Sequence, residues 1–250
     1  MAVFGTTSRA EATYRIIDAR AKETFPGHEI HWAYSSRMVK SLMQGKKDTT
    51  IKHPYEILRE LHAQGHTWAV VQSVHLIGGH EFFRLLREIR GEEIRTSIGM
   101  PLLTSPDDHI RAGRCLEPII HEHPSKAVLL IGHGTDHPSW TAYPAFQQTC
   151  RQIFGNRIFA GAVEQFPPSE GLIAEIVEAG FKEVLLIPFL LVAGMHYQDD
   201  LMSEESDSWC SRLKEAGITV NVFPHGIGSL SCISDIFCDH IREALDVIPL

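Results

Sequence analysis

Short apolar runs of strand length alternate with helical segments along the whole of this 250-residue chain. Such alternation is typical of β-α-β units, in which parallel strands form a sheet and helices cover its faces. Helices are predicted between the strands, among them 141–154, 201–216 and 233–245. The predicted strands are 2–4, 29–34, 68–74, 93–98, 127–131, 157–163, 183–189 and 219–222. The sequence therefore predicts an α/β fold with parallel sheets.

The second half of the chain repeats the order of the first half. Residues 62–71 align without a gap with residues 177–186, and the same register places Glu81 on His196. An internal repeat of this kind indicates a duplicated structural unit. We therefore expect two pseudo-symmetric Rossmann-like lobes, each a parallel sheet flanked by helices, over residues 1–123 and 124–250. A binding cleft is expected between the two lobes.

Three chemically matched side chains follow predicted strands of the second half: His133, Glu164 and His196. The carboxyl ends of parallel strands meet at one edge of a sheet, so these residues are expected to converge. Two imidazoles and a carboxylate suit a divalent transition metal and leave coordination positions open. Histidine also accepts protons near neutral pH, so His133 is predicted to act as a base.

The repeat shows that only one lobe contains this triad. The counterparts of His133, Glu164 and His196 in the first half are Gly5, Ser36 and Glu81. The metal ligands are therefore assigned to the second lobe, and Glu81 is expected to face the same cleft from the first.

Composition and motifs exclude several classes of protein. The net charge of −8 and the scattered Lys and Arg residues argue against a nucleic-acid surface. The five cysteines contain no C-x-x-C pair, which argues against a structural zinc site. Motifs for a P-loop, a dinucleotide fold, a hydrolase elbow or an H-E-x-x-H metalloprotease are absent from the sequence.

The sequence also bears on location. It contains no apolar run of membrane-spanning length, so no membrane association is expected. A signal peptide is not visible, which predicts a cytoplasmic protein, or a periplasmic one only if a leader has been removed.

An ordered set of motifs across nearly the whole chain resembles the anaerobic cobaltochelatases of the CbiK type, which are class II chelatases related to ferrochelatase. The motifs are Phe4-Gly5-Thr6-Thr7, Ser35-Ser36-Arg37, His75-Leu76-Ile77-Gly78-Gly79-His80-Glu81, Gly132-His133-Gly134-Thr135, Val163-Glu164 and Val192-Ala193-Gly194-Met195-His196. The resemblance implies a chelatase-like fold and insertion of Co²⁺ into sirohydrochlorin, or into precorrin-2, on the route to cobalamin. No organic cofactor is implied.

The resemblance also implies roles for individual residues. It makes His133 a metal ligand and proton acceptor, Glu164 and His196 the other ligands, and Glu81 an acid of the cleft. Because the implied substrate is a polycarboxylate, Arg9, Ser36 and Arg37 are predicted to bind it.

Several alternatives remain open at this stage. The same ligands suit Ni²⁺ and Fe²⁺, which leaves a nickelochelatase and a sirohydrochlorin ferrochelatase as alternatives. A non-catalytic tetrapyrrole or metal carrier is a further one, and a homo-oligomer is not excluded. His75 lies in an apolar run, where it is either a hydrogen-bonded core residue or a ligand to haem or a second metal.

Overall fold

The computed structural model describes residues 1–5, 11–35, 52–194 and 200–247. It divides into two compact units, the first formed by Met1–Thr104 with Ser231–Leu250 and the second by Ser105–Leu230. Parallel strands and flanking helices make up both units, which confirms the predicted α/β fold. In the described part of the chain, no helix is both long and apolar enough to span a membrane.

The secondary-structure elements follow the predicted order. The described strands are β1 (Ala2–Val3), β2 (Ala33–Tyr34), β3 (Trp68–Gln72), β4 (Arg95–Gly99), β5 (Ala127–Gly132), β6 (Ile158–Ala162), β7 (Glu183–Pro188) and β8 (Thr219–Val222). The described helices are α1 (Glu11–Thr24), α2 (Pro54–Ala63), α3 (His80–Ile89), α4 (Pro106–Cys115), α5 (Glu117–His121), α6 (Ala142–Phe154), α7 (Leu172–Glu178), α8 (Trp209–Glu215) and α9 (Ser231–Asp246).

The two units share one strand order. In the second unit the parallel order is β6-β5-β7-β8. In the first unit β1 pairs with β2 and β3 pairs with β4, again in parallel. A bridge from Ala2 to Ser73 connects these two pairs, which gives the order β2-β1-β3-β4. This correspondence is what a duplicated unit requires.

Strand β5 forms the centre of the second unit. All six of its residues are buried, as expected for a parallel strand that helices cover on both faces. On one face, Leu129 and Ile131 of β5 pack in a cluster with Leu186 of β7 and Leu213 of α8. The central position of β5 brings its carboxyl end between those of β6 and β7.

The helices at the end of each half belong to the unit formed mainly by the other half. Helix α9 packs on α1, where Ala21, Phe25, Cys238 and Ile241 form one cluster, and therefore belongs to the first unit. Helix α4, which follows β4, belongs to the second unit. The division consequently falls at 104/105 and 230/231, whereas one boundary at 123/124 was expected. The periodicity of a helix indicates which of its faces is apolar, but not which sheet that face will cover.

The ends of two helices show how far the local sequence predicts where a helix begins. The Ser105 hydroxyl accepts from the Asp108 amide at 3.1 Å, and the Asp108 carboxylate accepts from the Ser105 amide at 2.8 Å. The spacing Ser105-x-x-Asp108 in the sequence predicts such a capping box, and in the structure it starts α4. Helix α8 is shorter than the predicted 201–216 because it begins after Ser208, whose hydroxyl accepts from the Ser211 amide at 3.1 Å.

Candidate active site at the carboxyl edge of the second sheet

The structure brings the backbones of two predicted ligands together. The ladder between β5 and β6 continues beyond both strands, because the Val163 amide donates to the Gly132 carbonyl and the Glu164 amide donates to the His133 carbonyl, each at 2.9 Å. His133 is half-buried and Glu164 is exposed. An imidazole and a carboxylate thus follow adjacent strands at the same edge.

One nitrogen of the His133 ring contacts the backbone. Its Nδ1 lies 3.2 Å from the Gly134 carbonyl oxygen, which can only accept a hydrogen bond. Of the two neutral tautomers this contact favours the one with the proton on Nδ1, in which Nε2 carries the lone pair. A lone pair on Nε2 is what either metal ligation or proton uptake requires.

Two glycines and a tyrosine fix the backbone on either side of His133. A Cβ on Gly132 would lie 2.2 Å from the Tyr143 ring, and a Cβ on Gly134 would lie 1.8 Å from the Glu164 carbonyl oxygen. The Gly134 amide donates to the Tyr143 hydroxyl at 3.2 Å. Burial raises the pKa of Tyr143, so the hydroxyl stays neutral at the working pH of a cell. These close approaches hold the His133 loop against the Glu164 loop.

The segment that leads towards His196 follows β7 on the other side of β5. The Phe189 amide donates to the Ile131 carbonyl at 2.7 Å, so this segment leaves the sheet at the same edge. The Leu190 and Leu191 carbonyls accept from the amides of Ile227 and Gly228, at 2.8 and 3.1 Å. The loop after β8 thereby fixes the path of the chain before residues 195–199, which lie outside the described part.

We expect Gly226→Ala to weaken Co²⁺ binding by about tenfold, the size seen when a group that orients a metal ligand is lost. A Cβ at this position would lie 2.6 Å from both the Leu190 and Leu191 carbonyl oxygens and would displace the segment before His196. Competition with a coloured chelator measures the affinity. Gly27→Ala is the matched control, because nothing lies within 4 Å of a Cβ there. Equal affinities in the two variants would contradict this prediction.

Glu81 lies at the carboxyl edge of the first unit, in the first turn of α3. Its carboxylate accepts from the Arg84 guanidinium at 3.3 Å and from the hydroxyl of the buried Ser35 at 3.5 Å. The positive end of the helix dipole also favours a carboxylate there. Glu81 is thus held by two side chains at the start of α3, the helix that follows β3.

Four of the predicted site residues lie outside the described residues: Arg9, Ser36, Arg37 and His196. Within the described ranges, no group of three His, Cys, Asp or Glu side chains forms a metal site. The described part therefore contains His133 and Glu164 but not His196, and all three stay predicted ligands.

His75 follows β3 in a buried setting. Its Nδ1 lies 2.8 Å from the Ser73 hydroxyl, and its Nε2 is buried without a hydrogen-bond partner among the described residues. Burial lowers the pKa of His75 to about 4. An enclosed Nε2 agrees with a core position for His75. Its alternative role as a ligand to haem or to a second metal is not tested by this arrangement, and both alternatives stay predictions.

The lowered pKa of His75 predicts that the folded protein loses stability in acid. Between pH 6.5 and about 4 the unfolded chain binds a proton at this position that the folded chain does not bind. Its contribution is therefore fully present above pH 6.5 and falls as the pH drops, by up to about 3 kcal/mol. Urea unfolding of wild type and His75→Gln at pH 7.5, 6 and 5 measures this. The variant should show a shallower decline, and identical declines would contradict the assignment.

Three structural features of this site escaped the sequence analysis. They are the contact of Gly134 with Glu164, the contact of the loop at Gly226 with Leu190, and a ring contact between Trp140 and Phe166. The glycines on both sides of His133 were a visible signal of a close backbone approach. The other two contacts join segments distant in sequence, and no local pattern marks them.

Two repeated parallel units with a histidine and a carboxylate at a strand edge define the class of the tetrapyrrole metal chelatases. The chain is similar in structure to the sirohydrochlorin chelatase SirB from Bacillus subtilis, solved in complex with cobalt. The TM-score is 0.63 at 15% identity, over 97% of this chain and 94% of that chain. The multi-domain protein DR2241 from Deinococcus radiodurans gives a TM-score of 0.67 over 97% of this chain and 54% of that chain. These likenesses show the fold.

Comparison of the sequence with known families identifies the family of this chain. Residues 1–246 match the model of the cobalt chelatase family CbiK, and the chain belongs to this family of metal chelatases. It is 31% identical to the sirohydrochlorin cobaltochelatase of Salmonella typhimurium over 89% of this chain and 85% of that protein. It is 28% identical to the sirohydrochlorin cobaltochelatase CbiKC of Nitratidesulfovibrio vulgaris, over 99% and 90%. The predicted resemblance is thereby confirmed.

Proposed function

We propose that this protein inserts Co²⁺ into sirohydrochlorin in the biosynthesis of cobalamin, with His133, Glu164 and His196 as the ligands of the incoming metal. One observation carries the proposal: the His133 and Glu164 backbones are hydrogen-bonded at 2.9 Å at the carboxyl edge of a cobalt-chelatase fold. The sheet order β6-β5-β7 supports the third ligand, because His196 follows the strand on the other side of β5. The relatives named above are sirohydrochlorin cobaltochelatases, which supports this substrate over precorrin-2.

The proposed reaction exchanges one ion for two protons. Co²⁺ moves from the protein ligands to the four ring nitrogens, and two pyrrole N–H bonds break. Nε2 of His133 has one lone pair, so it cannot hold the metal and a proton at the same time. We therefore place proton uptake by His133 at the moment when the metal leaves the imidazole. Electrons balance because the cobalt stays divalent.

Glu81 is the proposed acceptor or relay for the second proton. Its carboxylate accepts from Ser35 and Arg84 at the carboxyl edge of the first unit, the edge that holds His133 and Glu164 in the second unit, which supports this proposal. Arg9, Ser36 and Arg37 stay predicted contacts for the substrate carboxylates. A cytoplasmic location and the oligomeric state also stay predictions.

Glu81→Gln is expected to lower kcat for cobalt insertion by about 10- to 100-fold, the lower range for loss of an acid-base group. Glutamine preserves the shape and the contact with Ser35 but cannot take up a proton. KM for Co²⁺ should be unchanged, because this residue is not a proposed ligand. Steady-state kinetics under anaerobic conditions measure both constants, and an unchanged kcat would remove Glu81 from the mechanism.

Anaerobic absorbance spectroscopy of sirohydrochlorin with Co²⁺, Ni²⁺ and Fe²⁺ in turn tests the function. We expect the wild-type protein to accelerate insertion of Co²⁺ above the spontaneous rate. A higher kcat/KM for Ni²⁺ or Fe²⁺ would indicate a nickelochelatase or a ferrochelatase instead. Binding of sirohydrochlorin without acceleration for any of the three metals would reject catalysis and favour a carrier.

A further inference from the structure

An exposed aromatic pair lies in the two loops that carry His133 and Glu164. Trp140 and Phe166, named here the aromatic shelf, have ring centroids 5.8 Å apart and planes tilted by 34°. Phe166 is 46% exposed and Trp140 is half-buried. Part of the apolar surface of these two contacting rings therefore remains exposed to solvent.

Backbone hydrogen bonds hold both residues of the aromatic shelf in place. The Phe166 carbonyl accepts from the Thr135 amide at 3.1 Å, which fastens the loop after β6 to the loop after β5. Trp140 lies in a single 3₁₀ turn, Pro138–Thr141, whose start is capped by His137. The Trp140 amide donates to the His137 carbonyl at 2.9 Å. The shelf is therefore positioned by the same loops as the metal ligands.

A purely structural role explains this pair poorly. The stacked pair Phe146 and Phe189 shows how aromatic rings pack in the core of the second unit, since each is only 1% exposed. Single exposed apolar residues are common on protein surfaces. Phe166, however, is the one aromatic side chain among the large exposed hydrophobics of the described second unit, and it lies two residues after Glu164. A ring pair left open beside ligand residues fits a ligand with a flat apolar face.

We propose that the aromatic shelf contacts one face of the sirohydrochlorin macrocycle and holds it above His133 and Glu164. This inference rests on the proposed function, and it names the residues that bind the conjugated part of the substrate. The carboxylates of sirohydrochlorin lie at its rim, so its centre can lie on apolar rings while the charged groups stay in water or meet cations. The shelf fixes the ring plane, and the metal ligands fix the ion.

Binding without turnover tests the aromatic shelf. Metal-free sirohydrochlorin is titrated anaerobically against the protein, and the bound fraction is separated by ultrafiltration, so changes in tryptophan fluorescence do not interfere. Trp140→Ala and Phe166→Ala should each weaken binding by about tenfold, the size for loss of one aromatic stacking partner. Trp140→Phe and Phe166→Tyr keep a ring and should stay within about threefold of wild type.

Phe154→Ala is the matched control. Phe154 is half-buried and contacts His121 edge-on at 6.2 Å, but it lies at the far end of α6, about 20 Å along that helix from Trp140. The Phe154→Ala variant should bind sirohydrochlorin as tightly as the wild-type protein does. Co²⁺ affinity, measured by chelator competition, should be unchanged in every shelf variant, which separates contact with the macrocycle from a collapse of the loops.

The outcomes separate this inference from the proposed function. Alanine variants that bind sirohydrochlorin as tightly as wild type, or that lose Co²⁺ affinity in parallel, would overturn the shelf. A wild-type protein that binds sirohydrochlorin through Trp140 and Phe166, yet accelerates no metal insertion, would support the shelf and reject the chelatase reaction. Wild type that does not bind sirohydrochlorin would overturn the shelf directly.

Discussion

His133→Ala is expected to lower the rate of cobalt insertion by at least about 100-fold, because it removes a metal ligand and a base together. The effect should be chemical rather than structural. The ring is half-buried, and the hydrogen bonds of the His133 loop to Glu164 and Tyr143 involve backbone groups that alanine retains. Anaerobic kinetics give the rate, and chelator competition gives the Co²⁺ affinity, which should fall as well.

A second histidine substitution controls for the removal of an imidazole as such. The His121 side chain is 63% exposed, and it contacts Glu117 in α5 and Phe154 at the end of α6. His121→Ala should leave insertion unchanged. Added imidazole is expected to restore part of the rate in His133→Ala only. A rate in His133→Ala close to that of wild type would remove this residue from the mechanism.

Gly134→Ala is expected to abolish activity through geometry alone, without changing any functional side chain. The added Cβ would lie 1.8 Å from the Glu164 carbonyl oxygen and 2.9 Å from Ala162 Cβ. Because backbone atoms cannot rotate away as side chains do, the Glu164 loop must move and its hydrogen bond to His133 must break. We expect a loss of at least about 100-fold in insertion rate and about 2–4 kcal/mol in the free energy of unfolding.

The control for Gly134→Ala separates the backbone strain of a positive φ from the steric clash with Glu164. Gly134 has a φ of +89°, which alone disfavours alanine. Gly180 has a φ of +85°, and nothing lies within 4 Å of a Cβ there. Gly180→Ala should therefore cost about 1–2 kcal/mol of stability and leave insertion unchanged. Urea unfolding and kinetics on both variants decide this, and equal activities would show that the contact with Glu164 does not position the ligand.

The sequence was informative where a property depends on neighbouring residues. Apolar runs predicted β5, β6 and β7, since a strand buried on both faces needs such a run. The Ser105 and Asp108 capping box placed the start of α4, because both partners lie within one turn. The internal repeat singled out Glu81, which lies in the first turn of the helix after β3. The motif set identified the family.

Helix length and unit boundaries needed the three-dimensional structure. Helix α8 was predicted to begin at residue 201, whereas in the structure it begins only at Trp209, after the Ser208 cap. Helix α9 was assigned to the second lobe because it is contiguous with it in sequence. It packs instead on α1 of the first unit, where it completes an apolar cluster.

By itself, the sequence determined which residues have the chemistry for a metal chelatase and which strands they follow, because residue type and hydrophobic period are local properties. Only the tertiary structure decided that β5 lies between β6 and β7, so that the backbones of His133 and Glu164 come within hydrogen-bond distance. It also decided that Trp140 meets Phe166. Contacts between segments far apart along the chain depend on how sheets and loops pack, and no short pattern of residues encodes that packing.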